Sequence, residues 1–550
     1  ETGMRGQSTF DNEARTPLII LLAVTGTVLL IACANIANLL LVRGVGRAAE
    51  MAVRLSIGAN RRQLITQLMT ESILLAALGA IAGLVVAKWT LDLIASLMPA
   101  DDAGLIAFTL SPSMLLFAGG AAIITGLAFG LFPALHSTRP DLASTLKNQA
   151  GQPGGAKAAR RFRTTLATVQ IAMSMALLVP AGLFAKSLFN ISRVDLGLNA
   201  DHMVVFGISP ELNSYTTERT RQLFERLEDE LSTIPGVTSV VAAIVPVLAG
   251  DNWGNSLVVE GFQAGPDTNT NASFNGVGPG YFKTMGIPLM SGREFTRADA
   301  FGAPKVAIVN QAFAKKFNLG DNPVGKRFGL GGGEGKLDIE IVGMARDAKY
   351  SDVKDAPPPQ YFLPYRQEER LGYGYFYVRT ATPPDQMLAT IPAVVRKLDA
   401  GLPLEELKTM ETQIRENVGQ DRVISTLSMA FAVLATVLAA IGLYGVLAYT
   451  VAQRTREFGL RMALGADGAA VRGLVMKQVV RMAVVGGVVG MAIAIGVGRL
   501  AKSMLFEMEG HDPMVLTAAT FALVLVALGA GFIPALRASQ TDPMTALRYE

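Results

Sequence analysis

One cysteine and three histidines in 550 residues leave little material for disulfide or metal chemistry. Cys33 stands inside a hydrophobic block, so no disulfide framework and no cysteine metal site can be built, and it reads as a small packing residue. His136, His202 and His511 are far apart and none belongs to an HExxH pattern. No G-x-S-x-G or paired-cysteine motif occurs, so the chain is expected not to be an enzyme and no catalytic or metal-ligating set is assigned. Charge is scarce too: Asp, Glu, Lys and Arg make up 17% of the chain, against about a quarter in ordinary soluble domains.

Apolar residues fill the space instead. They account for 50% of the sequence, and the mean hydropathy is +0.37. They gather into blocks of about 20 residues or more, the length a helix needs to cross roughly 30 Å of hydrocarbon. The expected spans are Pro17 to Val42, Leu68 to Met98, Met114 to His136, Leu166 to Phe189, Val423 to Val451, Leu474 to Phe506 and Val515 to Leu536. Between the fourth and fifth lies a polar segment of about 230 residues, enough for one folded domain or two subdomains.

The net charge of +4 and pI near 9.0 could suggest nucleic-acid binding, but the basic residues lie between hydrophobic blocks on alternate sides. Arg43, Arg47, Arg54, Arg61 and Arg62 follow the first span; Arg139, Lys147, Lys157, Arg160, Arg161 and Arg163 follow the third; Arg454, Arg456, Arg461 and Arg472 follow the fifth. The loops holding Asp101 and Asp102, or Glu507, Glu509 and Asp512, contain no Lys or Arg. Short basic loops stay cytoplasmic, so this alternation places the large polar domain outside.

The chain repeats itself. RAAEMAVRLSIGAN at 47–60 returns as RTREFGLRMALGAD at 454–467, each copy directly after a span. FPAL at 132–135 and IPAL at 533–536 each end a span, followed by TRPD and TDPM. Two copies of one module are read: residues 1–150 form the first, 151–163 a cytoplasmic linker, 164–191 the leading span of the second, 192–422 its outer domain and 423–550 its last three spans. By that comparison a leading span and an outer domain are expected upstream of Glu1.

In the outer domain, strands are predicted at His202 to Ile208, Val237 to Val245, Lys305 to Asn310, Asp338 to Gly343 and Tyr375 to Arg379. Helices are predicted at Thr216 to Thr233 and Gln386 to Leu398, which makes the domain α+β. Asp355-Ala-Pro-Pro-Pro359 reads as a stiff extended connection. Gly320 to Arg327 almost spells a phosphate-binding loop, but Arg327 replaces the magnesium-holding Ser or Thr, and the loop reads as a surface turn.

The repeated segment is the strongest functional candidate. Glu50 and Arg54, and Glu457 and Arg461, stand at i and i+4 on one helical face, after Arg47 and Arg454. Gly58 and Gly465 then end that helix. The functional reading is a stiff peg carrying force between a cytoplasmic partner and the next span. The plain alternative is a solvated surface helix whose ion pair is worth a few tenths of a kcal/mol. Within the spans, Asn35, Asn38, Glu71, Gln170 and Gln478 are assigned to helix packing, where polar groups find partners away from lipid. The glycines Gly486, Gly487, Gly490, Gly496 and Gly498 read as close backbone approach.

IACANIANLLL (31–41), EMAVRLSIGA (50–59), TESILL (70–75), EFGLRMALGA (457–466) and DPMTALR (542–548) resemble the FtsX-like permease module of MacB-type ABC transporters. GYFKTMGIPL (280–289), SGREF (291–295), VAIVN (306–310) and NPVGKRF (322–328) resemble the MacB periplasmic core domain. The duplicated arrangement is most similar to the acidobacterial duplicated orphan permease family. That resemblance implies a polytopic α-helical protein of two FtsX-like modules with an α+β periplasmic core, in the bacterial inner membrane. It also implies that the Glu50 to Ala59 and Glu457 to Ala466 segments couple to a separate cytoplasmic ATPase dimer of the MacB or LolD kind. The expected partners are that ATPase, membrane lipid and a periplasmic adaptor, with no nucleic acid. ATP is then used by the partner and no cofactor by this chain. The expected function is export driven through the periplasmic domain; the alternative is an FtsX-like scaffold that regulates a periplasmic protein.

Overall fold

The computed structural model describes residues 15–46, 54, 57–58, 60–97, 111–137, 154–265, 267–331 and 335–540. Arg47, Glu50, the loop at Asp101 and Asp102, the linker from 138 to 153 and residues 541–550 lie outside that set. The chain divides into a helical unit, Glu1–Asn190 with Gln420–Glu550, and a mixed unit, Ile191–Gly419.

Four long helices open the chain: α1 (Arg15–Gly46), α2 (Arg61–Leu97), α3 (Pro112–Ser137) and α4 (Gly154–Ile191). Each is an apolar run, which inside a bilayer satisfies its own backbone only as a helix.

The mixed unit begins with β1 (Met203–Ile208), α5 (Thr217–Ser232) and β2 (Val237–Ala243). Thr216 caps α5, its side chain accepting from the Arg219 N–H, and the apolar face of α5 buries Leu223, Phe224, Leu227 and Leu231. Next come β3 (Gly254–Val259), β4 (Asn271–Val277), α6 (Tyr281–Met285), β5 (Leu289–Gly292), β6 (Val306–Asn310) and α7 (Gln311–Lys316). β7 (Arg327–Leu330), β8 (Ile339–Ala345) and β9 (Gln360–Pro364) follow, then β10 (Gly374–Thr380), α8 (Asp385–Leu398), β11 (Glu405–Thr409) and α9 (Met410–Asn417).

Strand order joins all eleven strands in one sheet of two parts, linked where β2 meets β4 at Ala243 and Val277. β11-β1-β10-β2 form an antiparallel sheet from two split β-α-β halves, one at each end of the unit's sequence. Helices α5 and α8 contribute to one core with it, where Phe206 stacks on Phe376 at 5.4 Å and Phe224 meets Phe376 edge-on at 5.0 Å. The inserted strands run β4-β3-β7-β8-β6-β9, and β9 pairs in parallel with β4, closing a ring. Phe313, Phe328, Ile341 and Tyr361 are buried in its core. The five strands and two helices expected from sequence all stand within a few residues of their predicted places; β3, β4, β5, β7, β9 and β11 are additional.

The chain closes with α10 (Gly419–Gln453), α11 (Thr455–Ala463), α12 (Gly468–Leu500) and α13 (Pro513–Ser539). Helices α1, α2, α4, α10, α12 and α13 are long and apolar enough to cross a membrane, and α3 adds an apolar helix of 26 residues. The protein is therefore a multi-pass membrane protein with a β-rich domain. Where α12 crosses α4, a Cβ on Gly486 would stand 2.7 Å from the Thr168 carbonyl oxygen, and one on Gly490 would stand 2.6 Å from Met175 Cβ. These two glycines set how closely the backbones approach. Gly487 and Gly496 instead face open space, while Gly498 meets the backbone of Gly510. The Lys186 ammonium, 2.6 Å from Asp512, ties α4 to the start of α13, where Asp512 also caps the helix by accepting from the Val515 N–H.

Candidate functional site

The second copy of the repeated segment builds α11, and its local chemistry explains why it is rigid. Glu457 is held from both sides: Arg454 makes a forked pair at 2.7 and 2.8 Å, and Arg461 reaches it at 2.8 Å. Phe458, between them, is buried in the core formed by α4, α10, α12 and α13. The helix stops at Gly465, which has φ of +94°. The Gly465 N–H donates to the Met462 carbonyl and the Ala466 N–H to the Arg461 carbonyl, the two bonds of a Schellman cap. Asp467 then caps α12, so four residues separate the end of one helix from the start of the next.

Anchoring Phe458 inward turns the opposite face outward. Leu464 is 80% exposed, one residue before its glycine; Ile57, at the matching place in the first copy, is 79% exposed. Gly58 has φ of +100°, so both copies end on a left-handed glycine behind a bare aliphatic side chain. Sequence reasoning weighed the charges here and passed over these two residues. The available signal was the aliphatic-glycine-alanine string, present in both repeats. Of the first copy's expected residues, Arg54 donates to the Gln67 side chain at 3.0 Å, while Arg47 and Glu50 lie outside the described residues.

The polar residues assigned to helix packing divide. Asn35 on α1 donates to the Leu438 carbonyl of α10 at 2.6 Å and accepts from Gln170 of α4 at 3.1 Å. Gly442 makes room: a Cβ there would collide with both side chains. Ser174 donates to the Ala435 carbonyl at 3.1 Å, and Asn38 is buried beside Gly445. This knot joins a helix of the first module to two of the second. Glu71 on α2 and Gln478 on α12 are half-buried and stand outside it.

In the mixed unit the segment from Gly320 to Arg327, read from sequence as a surface turn, is a turn running into a strand. Gly325 donates its N–H to the Ile341 carbonyl, and Arg327, paired to Glu340 at 3.2 Å, opens β7. A phosphate-binding loop needs free amides at the start of a helix, which this turn lacks. One unexpected group is Glu228, buried on the apolar face of α5. Its carboxylate accepts from the Ala242 N–H at 3.1 Å and the Tyr365 hydroxyl at 3.0 Å, and burial pushes its pKa up to about 7.

The comparisons match this layout. The MacB-like periplasmic core domain family matches residues 164–396, and the FtsX-like permease C-terminal family matches twice, at 22–142 and 429–543. The macrolide export ATP-binding/permease protein MacB 2 of Yersinia pestis bv. Antiqua is 26% identical over 409 residues, covering 72% of this chain and 57% of the relative. MacB of Chromobacterium violaceum is 27% identical over 335 residues, 57% of this chain and 50% of the relative. The chain thus spans little more than half the length of these relatives. Among solved structures, the periplasmic region of MacB from Actinobacillus actinomycetemcomitans is 18% identical, covers 41% of this chain and 95% of its own, and gives a TM-score of 0.28.

Proposed function

The chain belongs to the FtsX-like permeases that carry a MacB-like periplasmic core domain, and from that premise we propose that it is the membrane part of an ABC-type exporter in a bacterial inner membrane. A separate cytoplasmic ATPase dimer supplies the energy, and this chain binds no nucleotide itself. ATP binding draws the two repeated segments together, the long helices carry the motion, and the periplasmic domain displaces a substrate already outside the membrane.

One observation carries the reading: both repeats end on an exposed aliphatic side chain, Ile57 or Leu464, ahead of a left-handed glycine. In the second copy the helix behind it is clamped at Glu457 and rooted by Phe458. An exposed aliphatic group at a helix end can be buried in a partner's apolar pocket. A surface helix without a partner would gain nothing from exposing an aliphatic side chain at the same place in both copies.

The test is to replace Ile57 and Leu464 by Asp, singly and together, with Glu457 and Arg461 reversed in a second set. Each variant is co-expressed with a MacB-type ATPase, and co-purification and ATP-driven activity are measured. The double Asp variant should lose the complex by about a hundredfold in affinity while its thermal unfolding stays unchanged. A complex and activity equal to the parent's in every variant would remove the peg role. Stimulation of ATPase by a periplasmic protein alone, with no response to substrate, would favour the scaffold reading.

A further inference from the structure

Four chain segments converge at one end of the β11-β1-β10-β2 sheet, opposite the end where Met203 and Thr409 lie. They are the turn after β1, the loop from Ile244 to Trp253, the approach to β10 and the start of β11. Trp253 is 46% exposed, and its ring lies 5.9 Å from that of Tyr373. Its backbone is fixed from two sides: the N–H donates to the Tyr350 hydroxyl at 3.2 Å and the carbonyl accepts from the Phe274 N–H at 2.7 Å. Tyr375 lies over Gly207, where a Cβ would stand 3.0 Å from the ring and 3.4 Å from the Glu405 Cβ. The aromatic wall is therefore held in place by the fold.

Around that wall stand carboxylates. Burial and then the charge of Glu406 push the Asp251 carboxyl up, and Asp251 and Glu211 lie near enough to act on the Tyr373 hydroxyl. Glu406 pairs with Lys408 at 3.1 Å, but among the described residues no cation pairs with Asp251, Glu211 or Glu405. The Tyr373 hydroxyl is buried without a hydrogen-bond partner. Glu406 is held at φ of 50°, a backbone strain that side chains of its kind seldom carry. Leu212, 77% exposed in the turn that contacts Gly372 through Glu211, flanks the cluster.

Rings backed by unpaired carboxylates attract an ammonium or guanidinium, which gains both from the faces of the rings and from the negative rim. We propose that this end of the sheet docks a lysine- or arginine-bearing segment of a partner polypeptide. The spread over four segments and the apolar Leu212 beside it fit a peptide chain better than a single small cation.

The full chain in detergent, carrying Trp89→Phe so that Trp253 alone emits, is titrated with a tetra-arginine peptide, a tetra-glutamine peptide and free arginine. Tetra-arginine should give a saturable change in emission that weakens with salt, and Asp251→Asn with Glu211→Gln should weaken it about tenfold. Tyr373→Phe should bind as the parent does, because it keeps the ring, whereas Tyr373→Leu should not. Thermal unfolding checks that each variant is folded. No binding, equal binding of tetra-glutamine, or no effect of the two carboxamide substitutions would overturn the proposal. Equal affinity for free arginine would overturn the polypeptide part by making the site one for small cations.

Discussion

Phe376 and Phe521 are the same side chain in opposite surroundings. The first is fully buried among Phe206 and Phe224 in the mixed unit; the second, on α13, is 65% exposed. The contrast runs through both units. In the mixed unit rings fill the centre, because in water the largest apolar groups gain most from burial. In the helical unit the inward stripe of α13 carries Ala519, Ala527, Gly531 and Ala535 beside larger buried groups such as Phe458, Leu443 and Met482, while Leu116, Phe117 and Phe521 face outward, because lipid gives large side chains no reason to leave it. Bulk goes to the centre in the first unit and to either side in the second.

Truncation is the sharpest way to break that contrast. Phe376→Ala should cost the mixed unit about 4 kcal/mol, read as a lower denaturant midpoint for its amides in hydrogen exchange. Phe521→Ala should move nothing by more than about 0.5 kcal/mol. Equal losses would mean that Phe521 packs against protein.

A buried carboxyl gives the next test. Glu228 keeps its proton in the folded unit up to about pH 7 but loses it near pH 4.5 when unfolded. Its stabilising contribution is therefore complete below 4.5 and is lost as pH rises through 7, a change on the order of 3 kcal/mol. Glu228→Gln should remove this group's share of the slope and leave the variant more stable than the parent above neutrality. A share of similar size remains from Glu368, which burial also pushes up to about 7. A parent whose stability rises between pH 5 and pH 8 would contradict this assignment.

The smallest effect reverses the logic of the first. Adding bulk at Gly490, where Met175 and Ala172 lie against the backbone, should cost about 2 kcal/mol for Gly490→Leu in detergent unfolding. Gly487→Leu, one turn position away and facing open space, should be tolerated. If both fail alike, the seam between α4 and α12 is not where the structure places it.

How far the sequence reveals these features depends on whether the physics is local. The apolar blocks announce α1 to α4, α10, α12 and α13 because each needs only its own length. In the mixed unit, α5 and the central strands carry their period, whereas β11, with sequence EELKT, has no apolar alternation and is a strand because β1 offers it an edge. The repeat made α11 visible, since register between copies needs no partner. Leu464 stayed hidden because its exposure follows from Phe458 turning inward, a fact of packing. Glu228 did leave a trace: four residues after Phe224 and three before Leu231, it falls on the buried stripe of α5. Asn35 could be assigned to packing, but its acceptor, a carbonyl on α10, belongs to no residue type and so has no sequence signature.

The ring in the mixed unit has an implication for how the protein is made. β4 can close only when β9 is available, and β1 lies between β10 and β11, which come at the far end of the unit's sequence. β3 and β4 can pair early, but neither the first sheet nor the ring can be completed before its late strands leave the ribosome or the translocation channel. Most of the segment between α4 and α10 must therefore be delivered before either part of it can close.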